Sequence, residues 1–153
     1  MDRSKVKELV DQAIGENDSL FLIDLRIGAD NAITVIVDGD TGVPLSECIR
    51  ISRHVEHNLD RETEDFSLEV TTPSITDPII DNRQYNKNVG RTIKVKTEDG
   101  EVEGKLTGVN PEEITLQWKV REAKPVGKGK ITVEKERKIP LSEIREAKVK
   151  IIF

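Results

Sequence analysis

The sequence predicts an α+β fold in two modules, an amino-terminal αββαβ domain over residues 1–82 and a small all-β barrel over residues 83–153. Three observations lead there. Apolar residues in the first half repeat at helix and strand periods in turn, whereas the second half holds mainly short strands with glycine at the bends. Pro73 and Pro78 bracket a stretch that regular structure does not cross. Charge divides nearby. Residues 1–82 carry 18 Asp/Glu and 7 Lys/Arg, a net of −11, and residues 83–153 carry 11 and 17, a net of +6.

Taken in order, Val6, Leu9, Val10, Ala13 and Ile14 line one face of a helix over 4–16, with Ser4 as its cap. Phe21, Ile23, Leu25 and Ile27 alternate with Asp24 and Arg26 as a strand over 20–27. A turn at Gly28-Ala29-Asp30-Asn31 is too short for a crossover, so Ile33, Val35 and Val37 belong to an antiparallel partner. Asp38 to Gly42 is a loop. Cys48, Ile51, Val55 and Leu59, joined by Ser52, mark the buried stripe of a helix over 46–59. Phe66, Leu68, Val70 and Thr72 alternate as a third strand, and both helices pack on one sheet face.

The segment Asn82 to Asn88 reads as a short helix ending before Gly90. Ile93 and Val95 lie in a strand that ends at the hairpin signature Glu98-Asp99-Gly100. Val102, Leu106 and Val109 follow, with Gly104 and Gly108 where the strand bends. Ile114, Leu116 and Trp118 alternate next, which places Trp118 in the core rather than on a base-stacking platform. Residues 120–130 read as a Lys/Gly loop, Ile131 and Val133 as a strand, Pro140 to Ile144 as one helical turn, and Val149, Ile151 and Phe153 as the last strand.

Composition excludes several classes. Aromatic residues make up 3 % and charged residues 35 % of the 153, which suits small cores and a wet surface. Met1 to Lys7 has no apolar signal-peptide run, and no stretch approaches the roughly 18 apolar residues of a membrane span. Cys48 is the single cysteine, so no internal disulfide forms and a reducing cytoplasm is expected.

Catalytic motifs are tempting at three places. Asp38 and Asp40 resemble a phosphatase nucleophile or a metal-dependent hydrolase, but a hairpin strand without a parallel βαβ frame does not suit that chemistry. A calcium loop counted from Asp38 needs Glu at its twelfth position and has Ile49. His54 and His57 share a helix face with no third ligand evident, and Gly127-Lys128-Gly129-Lys130 lacks the spacing of a phosphate-binding P-loop. No catalytic residue, cofactor site or metal site is expected.

One segment is more specific. Leu68-Glu69-Val70-Thr71-Thr72-Pro73-Ser74-Ile75-Thr76-Asp77-Pro78-Ile79 resembles the signature of the RimP family, usually written LEVSSPGxxRPL. Val35 to Asp38, Gly42 to Cys48, Ile51-Ser52-Arg53, Leu59-Asp60, Gly90 to Val95 and Gly104-Lys105-Leu106 extend the likeness over nearly the whole chain. Ser74 stands where the family has glycine and Asp77 where it has arginine, so contacts of that arginine are not carried over. The resemblance implies an SH3- or Sm-like carboxyl-terminal barrel. It also implies a cytoplasmic, non-enzymatic, monomeric factor for maturation of the small (30S) ribosomal subunit. Such a factor binds the subunit precursor through a basic ribosomal protein and rRNA and takes no cofactor.

Charge then nominates the surfaces. Asp60, Glu62, Glu64, Asp65 and Glu69, with Thr72, Pro73, Asp77 and Pro78 of the connector, are the candidates for docking a basic protein. Arg91, Lys94 and Lys96, with Lys124, Lys128, Lys130, Lys135, Arg137 and Lys138, are the candidates for RNA phosphates. Residues 119–138 hold eight Lys/Arg against three Glu. The competing readings are an Sm-like RNA-binding regulator, which leaves the acidic domain idle, and a solvated hairpin whose lysines deter edge pairing.

Overall fold

The computed structural model describes residues 1–151, which divide into two compact units meeting between Ser74 and Ile75. The division falls eight residues before the boundary expected at 82/83. The reason is local: the Ile79 N–H donates to the Ala147 carbonyl at 2.8 Å, and Ile79 packs on the second unit's core.

The first unit runs α1 (Arg3–Ile14), β1 (Leu20–Ile27), β2 (Ala32–Gly39), α2 (Leu45–His57) and β3 (Ser67–Thr71). The five apolar positions of α1 are all buried, as their spacing requires. Asp2 caps it instead of Ser4, accepting the Ser4 N–H at 2.9 Å. β1 and β2 form the expected antiparallel pair. A bulge between Leu22 and Asp24 breaks the expected alternation. One extra residue flips the faces. Leu20 and Leu22 therefore join Leu25 and Ile27 in the core, and Phe21 and Ile23 turn the other way.

β3 pairs with β2 in parallel, with α2 as the crossover between them. This corrects the premise that no parallel βαβ frame surrounds Asp38. The two strands are separated by a whole helix, which local periodicity does not convert into a pairing direction. Val6, Val10, Ile51, Val55, Val35 and Val37 are fully buried in the single core that both helices share with the sheet.

The second unit opens on a 3₁₀ turn at Asn82–Asn88, closed by a capping box between Asp81 and Gln84. A five-stranded antiparallel sheet follows: β4 (Thr92–Thr97), β5 (Gly100–Val109), β6 (Glu113–Ala123), β7 (Lys130–Pro140) and β8 (Glu146–Val149), in the order β7-β6-β5-β4-β8. Ile93, Val95, Leu106, Ile114, Leu116 and Ile139 are its fully buried centre. β5 carries a bulge between Leu106 and Gly108, where glycine was expected to bend the strand.

Two expectations change. The loop is shorter than 120–130: residues 120–123 and Lys130 are strand, because the β6–β7 register continues without a break through Val120↔Val133 to Ala123↔Lys130. β8 ends at Val149, earlier than expected; Ile151 is 39 % exposed outside it, and Phe153 lies outside the described residues. No helix among the described residues is long and apolar enough to cross a membrane.

Candidate functional site

The acidic loop after α2 is built by its own hydrogen bonds. Asp60 accepts the Glu62 N–H at 2.9 Å and the Thr63 hydroxyl at 2.8 Å, which hold its carboxyl below the usual carboxylate range. Glu64 pairs with the Met1 amino group at 2.6 Å and accepts from Asn31 at 3.1 Å, and its carboxyl is lowered by that amino group first. Asp65 meets Arg61 at 3.3 Å, and the Arg61 guanidinium lies 4.2 Å over the Phe66 ring. Three of the four loop carboxylates are thus spent on holding the loop. Glu62 and Glu69 are exposed and make no ion pair among the described residues. Thr72, Asp77 and Pro78 are exposed and Pro73 is half-buried, so the connector lies at the surface.

The cations of the second unit divide into two sets. On the outer face of β4, Lys94 and Lys96 meet Glu101 at 3.5 and 3.8 Å, and Lys96 also meets Glu146 at 3.7 Å. Lys135 meets Glu122 at 2.9 Å. These three are partly neutralised by neighbours. Arg91, Lys124, Lys128, Lys130, Arg137 and Lys138 make no ion pair among the described residues. Lys124, Lys128 and Lys130 sit together at the β6–β7 tip, where Gly127 and Gly129 take φ of +88° and +100°. Those values favour glycine and let the chain reverse, with the Lys124 N–H donating to the Gly129 carbonyl at 3.2 Å.

Asp38 is 1 % exposed and accepts the adjacent Gly39 N–H at 2.8 Å, so its carboxylate is buried beside the parallel frame. Burial pushes the Cys48 thiol up, which disfavours the thiolate. His54 meets the Gln12 side chain at 3.1 Å, and no group of three or more metal-ligating side chains gathers among the described residues.

Sequence similarity supplies the remaining observation. The model of the RimP N-terminal domain matches residues 9–76. A protein of Christiangramia forsetii named ribosome maturation factor RimP is 52 % identical over 153 residues, covering 100 % of both chains. The chain belongs to the RimP family. A Flavobacterium psychrophilum RimP is 48 % identical over 151 residues, covering 99 % of this chain and 98 % of its own. A Porphyromonas gingivalis RimP is 34 % identical over 154 residues, covering 99 % of each. The RimP-like signature begins on β3 and runs through the surface connector, with the variant Ser74 at the end of the first unit and Asp77 in the second.

Sequence reasoning missed one polar cluster in the RimP N-terminal domain. Arg50 of α2 donates to the Ala13 carbonyl at the end of α1 at 2.7 Å, to Glu47 at 2.6 Å and to Glu16. It closes the open end of α1 and ties the two helices together. Only the charged character of position 50 hinted at it. The Arg50 hydrogen bond, then that of Asn17, holds the Glu47 carboxyl below its ordinary 4.5. A carboxyl lowered by folding contributes stability above its unfolded value, and that stability is lost as pH falls through the lowered folded value. Glu47→Gln is therefore expected to flatten the loss of stability below about pH 4.5, read as urea midpoints along a falling pH series. An acid limb as steep as that of the unaltered protein would refute this role.

Proposed function

We propose that this chain is a ribosome maturation factor acting on the small (30S) subunit by contact alone, with no covalent chemistry and no cofactor. The second unit would lie on precursor rRNA through its unpaired cations, and the first would dock a basic small-subunit ribosomal protein. The observation that carries the reading is the hairpin tip, where Lys124, Lys128 and Lys130 cluster without partners among the described residues. The names of its relatives supply the ribosomal context. Lysines of this kind act as mobile point charges on phosphate and carry little sequence information. Residues 1–74 hold 16 Asp/Glu against 7 Lys/Arg, which repels phosphate and attracts a basic protein.

In this reading the five strands curl into an SH3- or Sm-like barrel, supported by the β5 bulge and the single apolar centre. The factor works in the cytoplasm as a monomer. A tagged full-length chain is expected to retrieve precursor small subunits from cells. Retrieval of scattered messages would favour a general RNA regulator instead, and retrieval of neither would refute both. With purified small-subunit proteins, binding is expected to weaken as salt rises, and Glu62→Lys with Glu69→Lys to weaken it further. Binding indifferent to salt and to both substitutions would remove the acidic unit from the reading.

A further inference from the structure

β5 and β6 pair only as far as Lys105↔Gln117, whereas β6 and β7 stay paired six positions further, from Trp118↔Lys135 to Ala123↔Lys130. A two-stranded arm therefore leaves the sheet at Trp118. In the crook where it departs lies an open cavity of about 470 Å³ between β4–β5 and the root of the arm. Trp118, the only tryptophan of the chain, lines it. The ring is half-buried, packed on the second core without being enclosed by it. Gly104 makes the arrangement possible. A Cβ there would fall 2.8 Å from the Gln117 carbonyl oxygen and 3.3 Å from Trp118 Cε3, so the bare backbone is what lets the ring lie close.

The crook carries charges of both signs, with Lys105 and Lys119 against Glu103 and Glu134. Lys105 and Lys119 line it and make no ion pair among the described residues. Glu103, on the same wall, is offset by Lys150 at 3.1 Å, and Glu134 stands opposite Lys119 in the β6–β7 register. Beyond the crook the arm continues with Arg121 and the unpaired lysines of the tip. An aromatic face beside two lysines, at the foot of a cationic arm, matches a base stacked on a ring with its phosphates held nearby.

We propose that the crook is a stacking site for one unpaired base of single-stranded RNA, with Trp118 as the platform and Lys105 and Lys119 holding the flanking phosphates. The inference rests on the RNA-binding reading above and assigns it a base-contacting site, where the tip lysines offer only charge. It also moves Trp118 from core residue to contact residue.

The single tryptophan makes the test direct. Full-length protein is titrated with single-stranded RNA of about six nucleotides and with an abasic strand of the same length, following tryptophan emission. Anisotropy of a labelled strand gives affinity for the unaltered protein, Trp118→Leu and Trp118→Phe. The expected result is saturable quenching by RNA and not by the abasic strand, with affinity for RNA down by about tenfold or more in Trp118→Leu and largely kept in Trp118→Phe. Trp118→Phe keeps the test informative if the leucine variant does not fold, because loss of discrimination between RNA and abasic strand in a folded phenylalanine variant would overturn the site. RNA binding with unchanged emission and equal affinities would also overturn it, while leaving the cationic arm as the RNA contact. Failure of every strand to bind would overturn the RNA reading itself.

Discussion

Changing Lys124, Lys128 and Lys130 together to serine is expected to flatten the salt dependence of single-strand RNA binding by about 2 in log–log slope, since each lost phosphate contact removes roughly 0.7. Affinity should fall by a similar factor on unrelated sequences, because a lysine on phosphate does not read bases. The fold should be untouched: all three side chains are exposed and none forms an ion pair among the described residues. The same substitution at Lys94 and Lys96 should change the slope less, since Glu101 and Glu146 already offset those charges. A slope unchanged by the tip variant and reduced by the β4 variant would place the RNA on β4 instead.

Truncating the core is expected to produce the largest loss of stability. Ile51 and Leu116 are both 0 % exposed, one in each core. Ile51→Ala and Leu116→Ala should each cost about 2–5 kcal/mol through lost burial and the cavity left behind. Small domains have little stability in reserve, so a loss of that size approaches the whole stability of a unit. Amide hydrogen exchange checks it: protection should fall chiefly over residues 1–74 for the first variant and over residues 75–151 for the second. A uniform fall across both units in either variant would show that the two cores do not unfold separately.

These predictions depend on features of unequal visibility in the sequence. The buried face of α1 was readable because Val6, Leu9, Val10, Ala13 and Ile14 carry the helix period within one short segment. The inner face of β2 was readable for the same reason at the strand period. The β1 bulge was not, because Leu20 to Ile27 alternates plausibly on either face until its partner strand fixes the register. The cationic surface was legible as a composition, yet the sequence did not say which lysines are spent. Lys96 and Lys130 look alike in the chain, and only the position of Glu101 and Glu146 beside the first separates them.

The sequence by itself determined the two-module α+β organisation, the family, and the acidic and basic characters of the two halves. All of these depend on residue identity and short-range spacing. Tertiary structure alone decided the parallel pairing of β3, the closure of α1 by Arg50, the length of the β6–β7 arm and the half-open position of Trp118. Each joins residues far apart in the chain, and no local period encodes such a meeting. Trp118 is the clearest case: its alternation with Ile114 and Leu116 assigns the side of the strand correctly, but β5 stops pairing before it, so the same face that is core at Leu116 opens to solvent one pleat later.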